Sequence, residues 1–302
     1  MSAEFVPDRN FDIPNDREID KQLFGKVKNL FSTCMNTTAI DERGIGPLQE
    51  IISSLSKEFG LSVGKINDWD RTKISKMAAY TRSLFSMGVS ADQKNVDTNV
   101  IYIGQGGLGL SSKEYYTEDP SVVMVYTQTI IGMFKLVFPE DKADFGALAQ
   151  EVVTFETRLA SISKPSSELQ DPKKTYNPTT VAKLKETSQE IDWDAYLRQQ
   201  FPKDMFGKEV FNDSTMLVLE VPSFTKDLTG ILRNTSESTF WAYFVWHSIR
   251  HYGSYLSDVS KAPLLSLKRS LTGQTTEPPR WQTCLALGML SQCLTLLSPS
   301  FS

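Results

Sequence analysis

The chain has 302 residues, 40% of them apolar and 23% charged, enough to bury one or two hydrophobic cores. Its formal net charge of −4 offers no basic field for nucleic acid or an anionic membrane surface. The opening Met-Ser-Ala-Glu-Phe-Val-Pro-Asp-Arg has neither the basic nor the apolar region of a signal peptide, and with no 18-residue apolar run a membrane span is unsupported.

Helical periodicity dominates the chain. Arg17 to Met35 places Ile19, Leu23, Val27, Leu30 and Phe31 three and four residues apart, as one face of a helix requires. Pro47 opens a second helix carrying Ile51, Ile52 and Leu55, and Asp70 to Met87 is expected to form a third. Val89 and Val100–Ile103 read as short strands around the polar turn Asp92-Gln-Lys-Asn95, a hairpin. Asp119 and Pro120 have N-cap and first-turn chemistry for a mostly apolar helix from Val122 to Val137, stopped by Pro139.

The clearest amphipathic stripe is Leu148, Val152, Phe155, Leu159 and Ile162, ending before Pro165; such a stripe is core rather than ligand site. Ser166 to Pro178, rich in Ser, Pro and Lys, reads as a surface loop. Short helices follow at Val181–Leu184 and Trp193–Leu197, then a strand at Met216–Val221 halted by Pro222. Asn234 and Glu237 have capping-box spacing and open a helix through Leu256. With Trp241, Phe244, Trp246, Tyr252 and Tyr255 all round it, that helix is expected to lie deep in the core. Pro278-Pro279 begins a last helix with Trp281, and Leu285 to Ser302 is a Leu/Ser-rich tail.

Two motifs could carry chemistry. Gly104, Gly106 and Gly109 form a G-x-G-x-x-G after the strand-like Thr98–Ile103. A dinucleotide site needs a helix opening at the last glycine to meet the phosphates. Leu110 to Tyr116 lacks helical period, and no ribose-binding acid follows, so this reading is weak. The only histidines, His247 and His251, have the i, i+4 spacing of zinc ligands, in His-Ser-Ile-Arg-His. Ser248 stands where a general-base Glu is needed, and Arg250 opposes a dication. Neither motif supports an active centre, and no catalytic or metal-binding residue is assigned.

The block Gln105-Gly-Gly-Leu-Gly-Leu-Ser-Ser-Lys-Glu-Tyr-Tyr116 resembles the "Gln-x-x-Leu-Gly-Leu-Pro-x-x-x-Tyr-Tyr" signature of neprilysin-type zinc metallopeptidases, the M13 family. Phe31 to Leu48, Leu84 to Asn95, Glu156 to Ala160, Thr175 to Leu184, Ile191 to Trp193 and Arg280-Trp-Gln-Thr-Cys284 are similar to further family segments, in order. Ser111 replaces the usual proline and Phe31 a tyrosine. The resemblance implies a mainly α fold: a multi-helix lobe with a few short β-strands, like the family's cap lobe, which faces a catalytic lobe across a chamber. It divides the chain into a segment at residues 1–15, the cap-lobe domain at 16–284, and a divergent tail at 285–302.

The family's catalytic blocks, His-Glu-x-x-His among them, do not occur in this sequence. The expected function is therefore that of a truncated family member, a metalloendopeptidase relative with no zinc ligands and no hydrolysis by itself. An alternative is an interaction module that binds peptides or pairs in trans with a catalytic lobe; a nucleotide-dependent enzyme built on the three glycines is a third. Both ends are expected to be incomplete, since family members are plasma-membrane or extracellular proteins.

Three cysteines allow one bridge and one orphan, or none oxidised. The resemblance pairs Cys34 with Cys284, and Cys293 is expected to be a buried small hydrophobe. Asn36, Asn212 and Asn234 head N-x-[ST] triplets, candidate glycan acceptors that fit an extracellular origin.

Overall fold

The computed structural model describes residues 18–203, 207–208, 210–273 and 278–286, and side chains from residue 24 onward plus Gln22. Residues 1–15, most of the tail, Cys293 and the side chains of Ile19 and Leu23 lie outside it. The chain divides into two compact units, one within Met1–Gly44 and Gly273–Ser302, the other Ile45–Thr272.

The first unit contains α1 (Glu18–Met35), α2 (Thr37–Arg43) and a helical stretch at residues 280–286. Helix α2 is absent from the predicted elements. It exists because Asn36 Oδ1 accepts from the Ala39 amide, and it stops at Gly44, whose φ of 51° suits glycine. Cys34 and Cys284 are joined in a disulfide, Cα atoms 5.7 Å apart, as the resemblance implied. The bond's neighbourhood is tied further by Arg280 Nε donating to the Cys34 carbonyl at 2.6 Å.

The second unit is mainly helical around one mixed sheet. Its chain order begins α3 (Gly46–Phe59), the small ribbon β1 (Leu61–Ser62) and β2 (Lys65–Ile66), then α4 (Arg71–Thr81). The hairpin β3 (Phe85–Ala91) and β4 (Asn99–Gln105) follows, then α5 (Tyr115–Glu118), α6 (Pro120–Val137) and α7 (Phe145–Ile162). Next come α8 (Ser166–Leu169), α9 (Pro172–Thr175), β5 (Asn177–Thr180), α10 (Val181–Thr187), α11 (Trp193–Gln200) and β6 (Met216–Leu219). The chain then forms α12 (Pro222–Arg233), α13 (Glu237–Gly253) and α14 (Ala262–Thr272).

The sheet order is β3-β4-β6-β5, with β4 and β6 parallel and the outer pairs antiparallel. Register runs Met87 to Ile103 to Leu219 to Asn177. The predicted hairpin is present, longer than its apolar residues suggested.

Helix α13 organises the core, packing on α3, α4, α6, α7 and β2. Every residue from Phe240 to Ile249 is buried, as the aromatic content predicts, whereas Tyr252 is half-buried and Tyr255, past the helix end, is exposed. Trp241 meets Phe134 and Phe138, and Tyr243 meets Phe155 edge-on at 4.7 Å. Each such ring contributes roughly 1.5–3 kcal/mol by leaving water. The stripe on α7 behaves likewise: Leu148, Val152, Phe155 and Leu159 are buried.

Several expected boundaries differ. The helix predicted from Asp70 to Met87 ends at Thr81, because Arg82 turns left-handed (φ 51°) and the chain enters β3. Asp70 caps its start, accepting from the Lys73 amide at 2.7 Å. The predicted loop Ser166–Pro178 instead contains α8, α9 and the start of β5; Asp171 caps α9 and Pro172 sits in its first turn. The strand predicted to Val221 ends at Leu219, and Pro222 starts α12, where its missing N–H costs nothing.

Asn234 does not cap α13. It ends α12, and the cap is Ser236, which accepts from the Thr239 amide. Glu237 reaches instead to the Ile66 amide at 2.7 Å. The helix stops at Gly253, short of Leu256. The composition reading also needs correction at α6, whose 18 residues have a mean hydropathy of 1.3 and are long and apolar enough to cross a membrane. In this fold its Tyr126, Ile130, Met133 and Phe134 are buried, and the helix packs on α7 and α14.

Candidate functional site

The block Gln105 to Tyr116 leaves β4 and wraps over a buried acid, Glu156 of α7, which is 0% exposed. Glu156 Oε2 accepts from the Tyr116 hydroxyl at 2.6 Å, the Tyr126 hydroxyl at 2.9 Å and the Gly109 amide at 3.1 Å. Oε1 lies 2.9 Å from His247 Nε2. Trp246 Nε1 donates to the Tyr126 hydroxyl, closing the network on the α13 side. A buried acid without such partners would cost several kcal/mol, so the network is what permits Glu156 to be there.

Local sequence sets up each contribution. Asp119 Oδ1 caps α6, accepting from the Val122 amide, and so fixes where Tyr126 projects. Glu156 lies four residues after Val152 and three before Leu159, within the apolar stripe of α7. Gly109 has no alternative: a Cβ there would meet the Tyr126 hydroxyl oxygen at 1.6 Å. The block is also tied at its ends. Gln105 and Lys164 exchange two hydrogen bonds, at 2.7 and 2.8 Å, and Arg250 Nη1 donates to the Leu108 carbonyl. Tyr243 accepts from the Leu84 amide and donates to the Gly107 carbonyl, each at 3.0 Å.

By distance, His247 and Glu156 could be an ion pair. Burial dominates, however, and pulls the imidazole pKa below its usual value against the attraction of Glu156, with Arg250 adding to the depression. The contact is therefore a neutral N–H···O bond, with the proton assigned to Nε2 by the network. Burial first, then the Glu156 charge, raises the hydroxyls of Tyr116, Tyr126 and Tyr243 far above the normal tyrosine value. Neutral tyrosines and a neutral imidazole are donors here, not bases.

This geometry removes the two sequence motifs as active centres. The amides of Gly109 and Leu110 already serve the Tyr116 hydroxyl, at 3.0 Å each, and α5 is only four residues long, so no helix N-terminus faces a phosphate. Zinc is the metal the resemblance implies, and the residues present do not fit it. His247 is turned to Glu156, while His251 is exposed and meets Tyr252 edge-on. Ser248 Oγ donates to the Phe244 carbonyl of its own helix. Among the described residues, no three His, Cys, Asp or Glu converge on a metal position.

Sequence reasoning placed Tyr116 and Glu156 in family segments but missed that they meet, together with Tyr126, Trp246 and His247. The available signal was a lone acid within an otherwise apolar stripe. All three sequon asparagines are exposed; the Asn234 amide nitrogen already donates to the Gly230 carbonyl at 3.0 Å.

A profile described as "Peptidase family M13" matches residues 9–295. Endothelin-converting enzyme 1 of Cavia porcellus is 29% identical over 269 residues, covering 86% of this chain and 35% of that protein. Neprilysin-11 of Caenorhabditis elegans is 22% identical over 283 residues, covering 88% and 33%. The chain thus spans about a third of the length of the curated relatives it matches.

Among solved structures, the open state of Mycobacterium tuberculosis zinc metalloprotease ZMP1 superposes with a TM-score of 0.72 at 20% identity, over 92% of this chain and 46% of that one. PEPO of Lactobacillus rhamnosis gives 0.67 at 16%, over 93% and 47%. At such identities these two establish the fold. With the profile spanning nearly the whole sequence, the chain belongs to peptidase family M13.

Proposed function

We propose that residues 16–284 act as the non-catalytic lobe of an M13 peptidase, contributing to peptide confinement without hydrolysing peptides or holding zinc. The observation that carries this reading is His247, whose Nε2 is engaged by Glu156 inside the core, with a serine beside it where a base would stand. Peptides are the proposed ligand class by family. The test is direct: the purified chain, given stoichiometric zinc and a fluorogenic peptide, should show no chelator-sensitive turnover. Turnover abolished by chelator and restored by zinc would overturn the proposal.

A second reading is a lobe that pairs in trans with a catalytic M13 lobe. Its support is the family resemblance, in which this lobe faces a catalytic lobe. Mixing the chain with a separately produced His-Glu-x-x-His lobe should yield one species in sedimentation; two independent species would remove this reading. Asn36, Asn212 and Asn234 are proposed glycan acceptors, checked by a glycosidase-sensitive mass on the chain secreted from a eukaryotic host.

A further inference from the structure

The sheet has two edges of different character. At one, β5 is four residues long and carries Pro178, which cannot donate to a further strand. At the other, β3 is seven residues, Phe-Ser-Met-Gly-Val-Ser-Ala, without proline or charge. The Asp92 amide donates to Thr98, so alternate residues Ser90, Gly88 and Ser86 form the bonded pairs with β4. Met87 and Val89 therefore turn their N–H and C=O groups outward. No partner for them exists among the described residues, and Val89 is 55% exposed.

Alongside this edge runs a groove of about 460 Å³, lined by Ser86, Gly88, Ser90, Tyr102 and Glu220. Small residues on β3 form its floor. The Glu220 carboxyl group reaches in through the space above Gly104, where a Cβ would stand 1.9 Å from its Oε2. Glu220 is half-buried, and its side chain makes no hydrogen bond or ion pair among the described residues. An unpaired acid in a groove beside four open backbone groups is complementary to one occupant: an extended peptide carrying a cationic side chain.

We infer that the outer edge of β3 receives an extended basic peptide as an added strand, with its Lys or Arg paired to Glu220. The inference rests on the proposed function only for the ligand class, and binding is measured separately from turnover, so either can fail alone.

The probe is a fluorescein-labelled octapeptide of alternating Thr and Val with one central Arg, and the same peptide with Glu in its place. Anisotropy should show the Arg peptide binding about tenfold more tightly. Glu220→Gln should erase that preference while retaining binding. Val89→Pro removes an outward N–H at an edge position that tolerates proline, and should weaken both peptides about tenfold or more. Because that variant could misfold, hydrogen exchange on the unaltered chain is the second measurement: the Val89 and Met87 amides should gain protection with peptide.

Absence of binding, absence of that protection, or equal affinity for the two peptides would overturn the inference. So would self-association of the chain that protects the same amides without peptide, which would give the edge to a second copy.

Discussion

The hydroxyl of Tyr116 donates to Glu156 Oε2 at 2.6 Å and accepts the amides of Gly109 and Leu110 at 3.0 Å each. One oxygen thus closes the glycine-rich block onto α7. Tyr116→Phe leaves the Leu110 amide without an acceptor and Glu156 short of a donor. A loss of about 2–4 kcal/mol is expected, read as a lower urea midpoint at unchanged slope. A loss below about 0.5 kcal/mol would assign the block's stability elsewhere.

Gly109 should be the least replaceable residue of the block. In Gly109→Ala the new methyl meets the Tyr126 oxygen, which is itself fixed by Glu156 and Trp246. Relief requires moving a bonded hydroxyl, and a destabilisation of about 3 kcal/mol is expected. Thermal unfolding monitored at 222 nm measures it, and Gly46→Ala, with open space around it, serves as the neutral comparison.

Stability should depend on pH through His247. Unfolded, its imidazole takes up a proton near 6.5; folded, burial holds its pKa lower. Just below pH 6.5 the unfolded chain binds more protons, so stability falls as pH drops through that window and is insensitive to this group above it. His247→Gln keeps an N–H for Glu156 without titrating, and should flatten the slope of unfolding free energy between pH 6.5 and roughly 5.5. His251, shifted in the same direction by burial and by Arg82 and Arg250, keeps the slope from vanishing.

The disulfide closes a separation of 250 residues. Replacing both Cys34 and Cys284 by Ser should cost about 2–5 kcal/mol, the upper end following from the entropy of so long a loop. Equilibrium denaturation with and without reductant checks the figure, and only the unaltered chain should respond to reductant.

Some of this was legible in the residues alone. The apolar stripe of α7, the Asp119–Pro120 start of α6 and the aromatic girth of α13 each reflect local chemistry, so helix and burial followed from spacing. The boundary errors share a cause. Asn234 and Ser236 are both competent caps, and the end of α12, absent from the predicted elements, decides between them. Likewise nothing between Asp70 and Met87 forbids a helix; Arg82 and Leu84 are left-handed, Leu84 (φ 70°) with its amide held by Tyr243, some 160 residues away.

The candidate site divides the same way. Sequence established that the two histidines have no glutamate between them, since the identity of a side chain is fixed by the chain itself. It also established the ordered family segments and, by resemblance, the pairing of Cys34 with Cys284. Only the folded chain decided what Glu156, Tyr126, Trp246 and His247 do, because the buried acid of α7 draws its partners from α5, α6 and α13, and no local pattern encodes which hydroxyl arrives over it. The same holds for Glu220 and Val89: which strand lies at the edge of a sheet is a property of pairing, and pairing is settled between distant segments.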